Sequence, residues 1–281
     1  MKEVSRELSP KHRREMKRLI RKIKTFFDNK RYHARRGVYI DQVVLAHVSK
    51  SIKVSEAVVS LVDAGFSDEA FGLSRTLVEI AFNLRFITNR YSERRAKRFA
   101  DYIARWKMEL IRRTLKHMLK KDDKGNDIPM YSKQQLRKMM KDYKIYANVA
   151  RKYPSRTSWT ETKNRKASRG GAWMMATEPD KHEFVHGTPF KWEFDYDWIY
   201  FWTSQYVHAT VVSVDAHAVP RGEPFFIKRS QKNESTAGLA VFNAAVYLWK
   251  ILVMSFRALG HPFDASISDP LWKFLVTLSQ R

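Results

Sequence analysis

The chain has 281 residues, 44% apolar and 13% aromatic with eight Trp, enough to bury a large core and to exclude wholesale disorder. It has no cysteine, which removes disulfides, thiolate metal sites and cysteine nucleophiles. Its formal net charge is +24 and is segregated: residues 1–36 carry fourteen Lys/Arg against four Asp/Glu, and residues 90–170 carry twenty-five against eight, while 37–89 and 171–281 stand close to balance.

The N-terminal stretch "MKEVSRELSPKHRREMKRLIRK" is charged throughout and has no apolar centre. It does not read as a secretory signal, so a cytoplasmic protein is expected. Within it "REMKRLIRKIKTFF" sets Met16, Leu19, Ile20, Ile23, Phe26 and Phe27 on one stripe opposite Lys and Arg, a basic amphipathic helix. A second helix spans 39–65 and is closed by Gly65. A third opens at Ser67 as N-cap, with Asp68 and Glu69 in the first turn where the helix dipole favours acid. Helix four, about 92–121, is basic and ends at the turn "KDDKGND"; helix five covers about 132–150 and stops before Pro154.

Residues 154–196 lose the helical period and gain Gly170-Gly171, Pro179 and Gly187-Thr188-Pro189. Helices resume at about 197–217 and 235–259, with a short one at about 268–280. The expected fold is all-α: a multi-helix bundle over 37–281, with a basic N-terminal helical arm over 1–36 and an irregular, aromatic-rich insertion over about 154–196. The apolar run 239–256 has the length of a membrane span, yet Asn243 and Lys250 interrupt it, so a buried core helix is expected and no integral membrane segment.

One stretch of the insertion spells a metalloprotease pattern. His182-Glu183-Phe184-Val185-His186 is an H-E-x-x-H, which on a helix presents two zinc ligands and a general base. Gly187-Thr188-Pro189 ends any such helix at once, and no third ligand stands at a distinctive spacing, so no metal or other cofactor is expected. Zinc hydrolysis through His182, Glu183 and His186 is kept as an alternative.

Two near-neutral helices carry polar residues in register on otherwise apolar surfaces. In "GLSRTLVEIAFNL", Arg75 and Glu79 are one turn apart; in "YFWTSQYVHATVVSVD", Tyr200, Ser204 and His208 recur every fourth residue. Helices so apolar do not lie on the surface, so these groups are expected to be buried or to line a cleft, with the two helices facing each other. As a catalytic set, His208 is a general base, Arg75 holds a phosphorane-like anion and Glu79 orients the histidine, which suits metal-independent RNA cleavage. As a structural set, the same residues form a satisfied polar network that fixes helix register.

The residues that carry this argument also carry a resemblance. "AFGLSRTLVEIAFNLRFI" and "YFWTSQYVHAT" resemble the motifs of a widespread family of bacterial helical domains of unknown function, with an R-[ST]-L-x-E helix and a Y-x3-S-x3-H helix, over about residues 38–260. The basic N-terminal helix and the long insertion lie outside the resemblance. What it implies is an all-helical, HEPN-like bundle, a homodimer, and a role in phage defence.

The basic segments supply the expected binding surface. Arg94, Arg95, Arg98, Arg105, Arg112 and Arg113 crowd helix four, while Trp159 and Trp173 alternate with Lys163, Arg165, Lys166 and Arg169 in the insertion. Aromatic faces beside phosphate-binding cations hold single strands without reading sequence. With no groove-reading module in the chain, RNA is favoured over DNA as the partner of segments 1–36 and 90–170. A non-catalytic protein-interaction module is the rival from another class.

Overall fold

The computed structural model describes residues 9–30, 34–89, 92–118, 132–151, 175, 192, 195–207, 218–219, 226–227, 234–261 and 264–279. They form helices α1 (Pro10–Lys30), α2 (Tyr39–Asp63), α3 (Ser67–Asn89), α4 (Ser92–Met118), α5 (Lys133–Arg151), α6 (Phe201–Val207), α7 (Glu234–Ala258) and α8 (Ala265–Ser279). A π-helical turn, Asp195–Tyr200, runs directly into α6. The fold is all-α. Among the described residues it carries one minimal antiparallel pair, Ala218–Val219 against Phe226–Ile227, which no alternating pattern in the sequence announces.

The chain divides into two compact units, residues 1–91 with 167–281, and residues 92–166. In the larger unit α2, α3 and α7 pack on one another as the centre, α1 lies against α2 and α8, and the 195–207 segment lies on α3. The core is Val44, Val58 and Val59 of α2, Leu77, Ala81 and Phe82 of α3, and Ala240, Val241, Ala244 and Leu248 of α7, all without solvent contact. Alanines on α7 let its backbone approach the larger side chains of α3. Asn243 of α7 is buried there, its amide 3.5 Å from the Ser74 hydroxyl of α3. The apolar run of α7 is long enough for a membrane span by composition, and here it is largely buried in the bundle.

Local rules place the ends of these helices. At α1, Ser9 accepts from the His12 N–H at 3.4 Å and Pro10 takes the first helical position, where its missing N–H costs nothing. Buried Met16, Leu19, Ile20 and Ile23 face the bundle, and Arg13 and Lys17 reach Asp63 of α2. The α1 arm is thus a packed part of the larger unit. Asp41, in the first turn of α2, accepts from the Arg35 backbone N–H at 3.0 Å and its guanidinium at 2.7 and 2.9 Å. Those bonds hold its carboxyl below the usual carboxylate range. Gly65, at φ 88°, ends α2 while the Phe66 N–H reaches back 2.8 Å to the Leu61 carbonyl, a left-handed cap. Ser67 is itself the first helical residue of α3 rather than its cap. The last helix starts earlier than its periodicity suggests, because the Asp264 side chain caps it at the Ser266 N–H, 2.9 Å away; Pro270 stands in its second turn and withholds one intrahelical bond there.

His47 is sealed inside α2, its Nδ1 donating to the Val43 carbonyl at 2.7 Å. Burial holds its pKa below the ordinary 6.5, against a smaller opposing effect of that bond. The unfolded chain therefore takes up a proton that the fold resists, so stability present at neutral pH is lost as pH falls from about 6.5 through the lower folded pKa. Urea midpoints at about pH 7.5 and 5 are expected to differ more in the wild type than in His47→Gln. Equal differences in the two proteins would refute this.

In the smaller unit α4 and α5 pack together as a helical hairpin. The second helix opens with a reciprocal capping box: the Ser132 N–H donates to Gln135 Oε1 at 2.7 Å and the Gln135 N–H to the Ser132 hydroxyl at 3.2 Å.

Candidate functional site

One face of α3 presents Gly72, Arg75, Glu79, Phe82 and Arg85 at helical spacing, and Trp192 and the 195–207 segment lie along it in the opposite direction. Gly72 meets Tyr206, where an added Cβ would lie 3.4 Å from the tyrosine's own. Arg75 meets Tyr200, Phe82 meets Tyr196 and Trp192, and Arg85 lies under Trp192. The two helices that carry polar residues in register do face each other.

Arg75 is the hub of the polar set. Its Nη2 donates to the Tyr200 hydroxyl at 2.7 Å and its Nε to Glu79 at 3.0 Å, while its guanidinium carbon sits 4.5 Å from the centre of the Tyr200 ring. The arginine side chain is 17% exposed and the glutamate 42%, so the charge is sheltered and its counter-ion opens to solvent. An arginine four residues before a glutamate is the less favourable order on a helix, so the pair contributes little to helix stability; its role is orientation of the guanidinium.

The π-helical turn explains how Tyr200 arrives. Tyr196 and Tyr200 stack with ring centres 5.0 Å apart and planes 18° from parallel, over fully buried Phe82. Where the wide turn meets α6, two hydroxyls take up backbone carbonyls: Thr203 donates to Ile199 at 2.7 Å and Ser204 to Tyr200. Ser204, expected in the polar set, is therefore turned back onto its own helix. His208 lies outside the described residues and follows directly on Val207 at the end of α6.

A second polar cluster sits at the other end of the turn. Asp195 accepts from Lys250 Nζ at 2.6 Å and from the Tyr247 hydroxyl at 2.9 Å, both on α7. Lys250 also lies 4.5 Å over the Trp192 ring, and buried Arg85 lies 4.6 Å over that same ring. Burial first, and then Asp195, push the Tyr247 hydroxyl pKa well up, so it remains a proton donor. The sequence carried one sign of this cluster: a lysine inside an apolar, buried helix must find a counter-charge.

A family of unknown function (DUF5677) matches residues 41–223, well over half of the chain. The chain belongs to this family. No curated protein and no solved structure matches it. The family range begins in the first turn of α2 and takes in α3, α4, α5, the π turn and α6, including Arg75, Glu79, Tyr200, Ser204 and His208. It also runs through residues 154–196, while α1, α7 and α8 lie beyond it.

Of the expected nucleic-acid contacts, Arg94, Arg95, Arg98, Arg105, Arg112 and Arg113 are all on α4 in the smaller unit. Glu109 accepts from Arg112 Nη2 at 2.7 Å and Arg113 Nε at 2.9 Å, bonds that hold its own pKa at about 2. Lys97 pairs with Asp101 at 2.7 Å. Trp159, Lys163, Arg165, Lys166, Arg169 and Trp173 lie outside the described residues, as do His182, Glu183 and His186. Among the described residues no group of three or more His, Asp and Glu could hold a metal ion.

Proposed function

We propose that this chain binds nucleic acid, RNA in preference to DNA, with the α4–α5 hairpin as a principal contact surface. The observation that carries the reading is the outer surface of α4. Tyr102, Trp106 and Leu110, one turn apart, stand exposed with Ile103 on a helix holding nine Lys/Arg against three Asp/Glu. The α5 partner adds six against one. Even with Asp101 and Glu109 engaged, the hairpin keeps a large excess of positive charge, which releases counterions when it meets phosphates, and exposed rings beside cations stack on unpaired bases. An exposed Trp on a helix this basic is poorly explained as a solvated face.

A second reading is metal-independent RNA cleavage at the α3–α6 face. It is favoured by a sheltered arginine held on two sides, by Glu79 and Tyr200, on a face whose second helix, α6, is followed in sequence directly after Val207 by His208. In that scheme His208 takes the proton of a ribose 2′-hydroxyl, the 2′-oxygen attacks phosphorus, Arg75 carries the phosphorane charge, and the P–O5′ bond breaks with the 5′-oxygen taking a proton from water, to give a 2′,3′-cyclic phosphate and a 5′-hydroxyl. The HEPN-like character and the place in phage defence rest on the resemblance of the two motif helices.

Labelled single-stranded RNA and duplex DNA, titrated at about 50 to 500 mM salt and then run on a denaturing gel, test both readings. Affinity for RNA is expected to fall steeply with salt and to exceed that for duplex DNA. Shortened RNA that persists with chelator and vanishes in Arg75→Ala and His208→Ala makes the polar set an active site. Intact RNA with tight binding makes it structural. Absence of salt-dependent binding to either polymer removes the proposal, and zinc content of the purified protein becomes the next question.

A further inference from the structure

The helix that stands ahead of the family range has a second, independent surface. Its apolar stripe is sealed against the bundle, and its opposite face carries Lys11, Arg14, Arg18, Arg21 and Lys22, all exposed. Among the described residues no ion pair joins these five to a carboxylate, whereas Arg13 and Lys17, on the flank toward α2, are engaged with Asp63. Lys11, Arg14, Arg18 and then the Arg21–Lys22 pair recur about once per helical turn, roughly 5 Å along the axis, so the charge forms a continuous row. Because α1 is packed and tethered, the backbone that carries the row is already ordered, and no helix folding is left to oppose binding.

Beside this row lies a groove between α1 and α2 of about 280 Å³, bounded by Lys24, Phe27 and Asp28 on one wall and by Leu45, Val48, Ser49, Ile52, Lys53 and Glu56 on the other. That volume is just below the usual range of ligand sites, roughly 300 to 1,000 Å³, and suits one heterocycle. The floor is apolar, and Val48 and Ile52 beneath it are buried. Lys24 and Lys53 supply cations at the rims, and Asp28, Glu56 and Ser49 supply acceptors for exocyclic amino groups. Lys24 is one turn beyond Arg21, so the groove opens at the end of the cationic row.

We infer that the α1–α2 groove is a base pocket for single-stranded nucleic acid whose phosphates follow the outer face of α1. The inference rests on the nucleic-acid reading above and adds a site outside the α4–α5 hairpin. A duplex is a poor occupant, because its bases are stacked and paired and none is free to enter. An anionic membrane would use the charged row and leave the groove without a role.

The test uses the whole chain and fluorescein-labelled single-stranded and duplex oligonucleotides of equal length across a salt series. In R14Q/R18Q/R21Q/K22Q the slope of log affinity against log salt for the single strand is expected to flatten by about 0.7 for each phosphate no longer neutralised, up to about 3 in all. In Ser49→Trp, which fills the groove from an exposed position, single-strand affinity is expected to fall about 5- to 100-fold with the slope unchanged and duplex binding unaffected. Lys53→Gln serves as a second groove variant should Ser49→Trp lower the unfolding midpoint. Wild-type binding that none of these variants alters overturns the inference and leaves the hairpin reading standing. A wild type without salt-dependent binding takes down both. Capture by phosphatidylserine vesicles, abolished in the quadruple variant and unmatched by any oligonucleotide, overturns it in favour of a membrane surface.

Discussion

Phe82→Ala is expected to destabilise the larger unit by about 3 to 5 kcal/mol, the cost of a large buried aromatic that leaves a cavity. Phe82 has no solvent contact, and its ring centre lies 6.0, 6.4 and 6.1 Å from those of Trp192, Tyr196 and Tyr200. It is therefore the floor on which Trp192 and the 195–200 turn rest. The loss should appear twice: as a lower urea midpoint at unchanged m-value, and as faster amide exchange in the π turn than in α2. An unchanged midpoint would show that the aromatic stack holds itself.

The second large effect is expected from Asp195→Ala. The aspartate accepts from both Lys250 and Tyr247, and removing it leaves a largely sheltered ammonium and a buried phenol without that acceptor. The lysine and aspartate side chains are 23% and 16% exposed, so the loss is smaller than for a fully buried pair, about 2 to 3 kcal/mol. Because the harm comes from the stranded cation, Lys250→Met added to Asp195→Ala should restore part of it, a coupling that a thermodynamic cycle reads directly. Strictly additive losses would mean that the pair is not coupled. Tyr200 sits at the far end of the same turn, so Asp195→Ala should also weaken the hold of Tyr200 on Arg75.

Much of this molecule was legible one helix at a time. The stripe of Met16, Leu19, Ile20 and Ile23 points one way along α1, and the same residues are the buried ones. Gly65 ends α2 because the chain needs a left-handed residue there. Arg75, Glu79 and Tyr200 were recognisable because polar groups in register on apolar helices must meet something. What escaped was which partner each would choose. Ser204 shares the spacing of Tyr200, yet a hydroxyl on a helix can always satisfy itself on the carbonyl one turn back, and it does so here. Asp195 gave no periodic signal, because it stands at the edge of an irregular segment.

The sequence by itself determined the all-helical class, the segregation of charge along the chain, and, through residues 41–223, membership of the family. These depend on composition and on the 3.6-residue period, which are properties of neighbours along the chain. Only the tertiary structure decided that a π-helical turn sets Tyr200 onto Arg75, that Lys250 is neutralised by an aspartate 55 residues away, and that α1 and α2 leave a groove beside a row of cations. Each of those depends on the register and direction of one helix against another. That is fixed by how the side chains of neighbouring helices interlock in three dimensions, as Phe82 does beneath the π turn, a constraint no single helix contains.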